Sequence, residues 1–211
     1  MKPESLIFDI DGTLWDSRAL VAEGYNIQLR KEGYAHLCVT AEDLKPLFGK
    51  VMTAIADAIL ATVPAQERYA LMERCMETEN RYLEENECHI GYEGVKETLE
   101  VLAKDYRLFI VSNSQCGYPE LCMEKLGIAH LMEGHLCFGD TGTEKGQTIQ
   151  QLMHRHNITS AVYIGDTQGD YEATLVAGIP FVFAAFGFGS PAGWAARVED
   201  FRQLPQILAS M

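Results

Sequence analysis

Short apolar runs bounded by turn residues recur along the chain. They are Leu6-Ile7-Phe8, Arg107-Leu108-Phe109-Ile110-Val111, Ala161-Val162-Tyr163-Ile164 and Pro180-Phe181-Val182-Phe183-Ala184, with His135-Leu136-Cys137-Phe138 as a weaker fifth. Lacking a polar alternate, each reads as a strand buried on both faces, the habit of parallel sheets covered by helices. Helical spacing of apolar positions fills the gaps between them, over residues 94–104, 119–126, 146–156 and 170–177. Gly127 and Gly178 stand where C-caps belong. Strand and helix alternate, which predicts an α/β fold built on a doubly wound parallel sheet.

Residues 16–89 break this rhythm. They hold no convincing strand, but Val51, Ala54, Ile55, Ala58, Ile59 and Thr62 recur at helical spacing, as do Tyr69, Met72 and Met76. Leu20, Ile27 and a stop at Gly33 predict an earlier helix that Asp16 or Ser17 could N-cap. The pattern predicts an all-helical lobe inserted after the first strand: a core of residues 1–15 and 91–211, and an insertion of residues 16–90.

Composition narrows the partners. The chain has 211 residues and carries 17 Lys and Arg against 30 Asp and Glu, a formal net charge of −13. Such a surface repels nucleic acid and anionic lipid, because phosphate backbones are bound mainly through Lys and Arg. No stretch approaches the ~18 apolar residues that span a bilayer, and the N-terminal residues do not read as a secretory signal. A cytoplasmic protein with no nucleic-acid or membrane partner, and no protein partner inferred, is the expectation. The six cysteines (Cys38, Cys75, Cys88, Cys116, Cys122 and Cys137) include no C-x-x-C pair and read as reduced thiols. His135-x-Cys137 and His154-x-His156 read as ordinary strand and helix positions rather than metal ligands.

Chemistry is sought where strands end, since open α/β sheets bind ligands beyond the carboxyl ends of their strands. The first strand runs into Asp9-Ile10-Asp11-Gly12-Thr13, two acids close enough to repel unless a cation or proton lies between them. The second ends in Ser112-Asn113-Ser114, where a hydroxyl and backbone N–H groups can hold a phosphate oxygen. Lys145 opens a helix, a position that favours anions. The fourth strand ends in Asp166-Thr167-Gln168-Gly169-Asp170, hard oxygen donors of the kind that suit Mg²⁺. Together these clusters describe a site for a phosphoryl group and a magnesium ion.

These residues resemble the haloacid dehalogenase superfamily, whose pattern of Asp-x-Asp-Gly-Thr, apolar-Ser/Thr-Asn, Lys and Gly-Asp-x-x-x-Asp is matched in order. The resemblance covers the whole chain, and residues 16–89 look like the helical cap of its phosphoglycolate phosphatase and beta-phosphoglucomutase branch. It implies a Rossmann-like core, with Asp9 as nucleophile and Asp11 as general acid/base. Mg²⁺ would be held by Asp9, the Asp11 carbonyl and Asp166, with Asp170 supporting nearby. Ser112, Asn113 and Lys145 would bind phosphate, and Thr13 would orient the first loop. Lys50 falls where a substrate-contacting cap loop is often found. Hinges are expected near residues 14–16 and 87–91. One departure is Lys145-Gly146, where the family often has Lys-Pro. The implied activity is Mg²⁺-dependent hydrolysis of a small phosphorylated metabolite; a phosphosugar mutase and a non-catalytic binding protein remain as alternatives.

Overall fold

In chain order the computed structural model forms β1 (Ser5–Phe8), α1 (Arg18–Lys31), α2 (Ala41–Leu44), α3 (Met52–Ile59), α4 (Ala65–Glu85), α5 (Val95–Leu102), β2 (Arg107–Ser112), α6 (Tyr118–Leu126), β3 (Met132–Cys137), α7 (Phe138–Thr141), α8 (Lys145–Arg155), β4 (Ala161–Gly165), α9 (Gln168–Ala177), β5 (Phe181–Ala184), β6 (Ala196–Val198) and α10 (Leu204–Ala209). The described residues are 3–87 and 89–211; Cys88, counted above among the reduced thiols, lies outside them. The other five cysteines are free. The chain divides into two compact units, Met1–Asp16 with Gly91–Met211, and Ser17–Ile90.

The first unit is a parallel sheet in the order β3-β2-β1-β4-β5-β6. From β1 the chain adds β2 and β3 on one side and then β4 to β6 on the other. The point where strand order reverses therefore lies between β1 and β4, where an open sheet leaves a crevice. Phe8 aligns with both Ile110 and Ile164, so the residues that follow these strands leave the sheet at one level. Alternate strand residues serve opposite faces. Ile7, Phe109, Val111, Tyr163, Phe181 and Phe183 share a core with Ile149 and Leu152 of α8 and Ala173 of α9. On the other face the Phe8 ring lies 6.0 Å from Phe201.

The edges are where the pattern misleads. β3 begins at Met132 and its first four residues are only partly buried or exposed, because one long side of the strand has no neighbour. Phe138 leaves the strand and opens α7. The opposite edge, β6, is three residues long with an exposed arginine in the middle, and neither it nor α10 is foreseen by apolar runs. The helices expected at 94–104, 119–126, 146–156 and 170–177 form within a few residues of those limits, and Gly127 and Gly178 take left-handed C-cap conformations.

The second unit is helical throughout, centred on the packing of α1 against α4. Ser17 occupies the N-cap position of α1 but its side chain makes no capping bond. The face of α4 differs from the expectation: Leu71, Met72, Cys75, Glu79 and Leu83 are buried, whereas Tyr69 is 48% exposed and donates its hydroxyl to Asp57. From Met72 the buried stripe advances by three or four residues per step, and Tyr69 and Met76 flank it. Asn26 ties the following loop to α1, donating to the Val39 carbonyl at 2.7 Å and accepting from its N–H at 2.8 Å. At the helix crossing, a Cβ on Gly24 would stand 2.7 Å from the Glu79 Cα, so only a hydrogen fits. Gly24→Ala is expected to force α1 and α4 apart and cost about 1–3 kcal/mol, measured as a lower urea midpoint; an unchanged midpoint would show that the crossing has slack.

Candidate active site

Asp9 continues β1 past its last paired residue, its N–H bonded to the Ile164 carbonyl at 2.9 Å. Its carboxylate is buried and accepts from Lys145 Nζ at 2.9 Å. The same ammonium donates to Asp170 Oδ1 at 2.6 Å and sits 5.8 Å from the Tyr163 ring centre. Lys145 is the first residue of α8, and Gly146 beside it is pressed against α9. A Cβ there would lie 2.7 Å from Val176 Cβ and 3.0 Å from the Ala173 carbonyl, which accounts for glycine at this departure from Lys-Pro.

Asp170 has a second task. Its Oδ2 accepts from the N–H and hydroxyl of Thr167, at 2.9 and 2.7 Å, while Thr167 Oγ1 accepts from the Asp170 N–H. This is a capping box that starts α9. With one oxygen given to the helix cap and the other to Lys145, Asp170 acts on the site mainly by holding the lysine.

Asp166 follows the last residue of β4 and is fully buried. Oδ2 accepts from the Phe188 N–H at 2.6 Å, while Oδ1 has no hydrogen-bond partner. Gly12, with φ of +80°, carries the first loop directly over this carboxylate, and any side chain at that position would run into it.

Asp11 is only half-buried and belongs to a different network. Its Oδ1 accepts from Trp15 Nε1 at 2.9 Å and from the Tyr118 hydroxyl at 2.8 Å, and the two rings meet edge-on with centroids 5.5 Å apart. Ser112 is buried at the end of β2 and accepts from the Ser114 N–H at 3.3 Å. Asn113 is half-buried beside it. Thr13 is buried, with its N–H on the Ile10 carbonyl and its hydroxyl unpartnered. Lys50 belongs to the second unit and is exposed.

The electrostatics follow from burial. Asp9 is pushed up to about 7 by burial and by the Asp170 charge, against the pull of Lys145. Asp166 is raised well above the carboxylate range by burial and by Asp170 and Asp9. Asp170 is lowered, burial being outweighed by the Lys145 charge. For Lys145, burial works against the charge, but Asp170 and Asp9 raise it overall.

Asp9, Asp166 and Asp170 offer oxygens within 4.8 Å of one another. Three buried carboxylates, if all ionised against one buried ammonium, would leave two negative charges in a dry interior, a cost that shows as the raised Asp9 and Asp166. The orphaned Asp166 Oδ1 adds an acceptor with nothing to accept from. Hard oxygen donors with this charge deficit fit a divalent cation such as Mg²⁺.

Tyr118, Trp15 and Phe188 escaped the sequence reading. Trp15 and Tyr118 look like core aromatics, and the Phe188 contribution is a backbone N–H that carries no side-chain signature. Thr167-x-x-Asp170, by contrast, is a capping pattern open to recognition.

A family model for haloacid dehalogenase-like hydrolases matches residues 6–184. The phosphoglycolate phosphatase of Xanthomonas campestris pv. campestris (strain 8004) is 29% identical, covering 97% of this chain and 95% of its own length. That of Xylella fastidiosa (strain 9a5c) is 30% identical, covering 98% and 92%. Among solved structures, a predicted phosphoglycolate phosphatase from Haemophilus somnus 129pt superposes with a TM-score of 0.82 at 21% identity, covering 98% of each chain.

Lys145→Met tests the electrostatic design. In the wild type the lowered Asp170 contributes stability above its unfolded value of about 3.9, and loses it as pH falls through the lower folded value. Without the ammonium, Asp9 and Asp170 are raised above their unfolded values, so the variant gains stability as pH falls. In chelator, its deficit is expected to be about 3–5 kcal/mol at neutral pH and to shrink on acidification in urea titrations. A deficit independent of pH would show that the lysine acts by packing alone.

Proposed function

Because the chain belongs to the haloacid dehalogenase-like hydrolase family, we propose that it is a phosphatase that hydrolyses a small organic phosphate monoester, with Asp9 as nucleophile and Asp11 as general acid and base. The observation that carries this reading is the separation of the two carboxylates. Asp9 is buried in a cationic grip, while Asp11, two residues on, is half-buried and accepts from Trp15 and Tyr118.

Asp9 attacks phosphorus in line with the leaving oxygen and takes the phosphoryl group as an aspartyl-phosphate. Asp11 gives its proton to the leaving alkoxide, then accepts one from the water that releases phosphate and regenerates both residues. Lys145, Ser112 and Asn113 supply donors for the equatorial oxygens, where charge moves in the transition state. Asp9 and Asp166, with the Asp11 carbonyl, would hold Mg²⁺, and Asp170 supports the set through Lys145. The cation supplies charge neutralisation that lets an anionic nucleophile meet an anionic ester. The helical unit is read as a substrate-selecting cap, with Lys50 as a substrate contact and hinges near residues 14–16 and 87–91. Phosphoglycolate is the first substrate to try, since curated relatives matching nearly the whole chain bear that name.

Phosphate release from phosphoglycolate, sugar phosphates and nucleoside monophosphates, with Mg²⁺ and with chelator, tests the reading. Release is expected to require the metal and to fall roughly 10³-fold or more in Asp9→Asn. Substantial release by that variant would remove Asp9 as nucleophile. No release from any ester, together with isomerisation of a phosphosugar, would make the protein a mutase.

Tyr118→Phe removes the phenolic donor to Asp11 Oδ1. One neutral hydrogen bond of about 1 kcal/mol predicts a several-fold lower kcat with KM nearly unchanged. A change confined to KM would place Tyr118 in substrate binding.

A further inference from the structure

Outside the carboxylate centre, a second cluster gathers soft donors. Cys137 is the last residue of β3 and pairs in register with Ser112 of β2. Cys116 lies on the loop after β2, and Asp140 is the third residue of α7. The two sulfurs and a carboxylate oxygen all lie within 4.8 Å of one another. Cys116 Sγ is 3.6 Å from Asp140 Oδ1, and Cys137 Sγ is 3.1 Å from Asp140 Oδ2. We propose that Cys116, Cys137 and Asp140 form a binding site for a soft divalent cation of the Zn²⁺ class, distinct from the oxygen centre at Asp9 and Asp166.

The dimensions suit it. Zn–S of about 2.3 Å and Zn–O of about 2.0 Å at tetrahedral angles give a sulfur–oxygen edge of about 3.5 Å, near the 3.6 Å from Cys116 Sγ to Oδ1 and the 3.1 Å from Cys137 Sγ to Oδ2, so each sulfur faces its own oxygen of one carboxylate. The three donors come from three places in the chain, and backbone contacts hold them together. Gly139 N–H donates to the Ser114 carbonyl at 3.1 Å, and Cys137 N–H donates to Asp140 at 2.9 Å. A Cβ on Gly139 would lie 2.8 Å from Cys116 Sγ, so glycine keeps the loop in reach. Cys116 and Asp140 are exposed, which leaves a fourth position for water and a path for the ion.

Binding forms two metal–sulfur bonds and releases two thiol protons to solvent, with no change of oxidation state. Burial, with Asp140 nearby, raises both thiols, so occupancy rises with pH as the ion competes with those protons. Thiolate donors discriminate against Mg²⁺, so the two centres select different ions. An ion here would clamp the loop that begins at Ser112 to the end of β3.

The test uses the full chain, kept reduced, stripped with chelator and titrated with Cd²⁺ in excess Mg²⁺, so that the oxygen centre is filled. One equivalent is expected to produce thiolate-to-metal charge-transfer absorption, which Zn²⁺ displaces. Cys116→Ser, at an exposed position that tolerates the change, should abolish the band, and Asp140→Asn should weaken Cd²⁺ binding at least tenfold. Cys38→Ser should leave both unchanged. Absence of the band in the wild type, or its persistence in Cys116→Ser, would overturn the proposal.

Discussion

One buried ammonium sets the geometry of the sheet's carboxyl edge. Lys145 bonds Asp9 at 2.9 Å and Asp170 at 2.6 Å, and all three side chains are buried. Removing charges from water costs several kcal/mol per ion, so the arrangement survives only because each charge meets an opposite one at close range. The position of each partner is then dictated by its own element. Asp170 is fixed by the capping box that starts α9, Lys145 by the first turn of α8, and Asp9 by its place beyond β1. Two helices and the central strand are therefore registered against one another by a single cation.

That constraint leaves the cluster short of positive charge, and the shortage is what makes it chemically useful. A perfectly neutral cluster would be inert ballast. Here Asp9 stays poised near neutrality in its protonation, and Asp166 keeps an oxygen with no donor. Both features would be relieved by a hard divalent cation among these oxygens, so the affinity proposed for such an ion and the raised Asp9 would express the same missing charge. Asp11 stands outside this economy. Trp15 and Tyr118 donate to its Oδ1, and it is half-buried where Asp9 is buried.

Much of this was legible in the chain. Buried parallel strands advertise themselves as uninterrupted apolar runs, and polar residues at their ends are conspicuous, which is why Asp9, Ser112 and Asp166 could be singled out. What stayed hidden was set by tertiary contact. β3 and β6 are edge strands, exposed along one side, and their sequences lose the apolar signature. The face that α4 buries is chosen by its packing on α1, down to the hydrogen at Gly24, and a window of helical periodicity could not tell that face from one rotated past Tyr69. Tyr118 reaches Asp11 across 107 positions of sequence, a separation at which no local pattern speaks.

The same topology brings the soft cluster beside the hard one. Ser112 and Cys137, the last residues of β2 and β3, are register partners on adjacent strands. Carboxylates gather at the β1–β4 crevice because strand order reverses there; thiols gather at the outer edge, where α7 folds back against the loop after β2. The three-carboxylate cluster thus sits at the middle of the sheet's carboxyl edge and the two thiols with Asp140 at its β3 end. A hard ion has no reason to leave the centre and a soft ion has a place to bind without displacing it. Asn113 and Cys116 lie on the one segment between β2 and α6, so an ion at Cys116 would restrain the same backbone that carries Asn113.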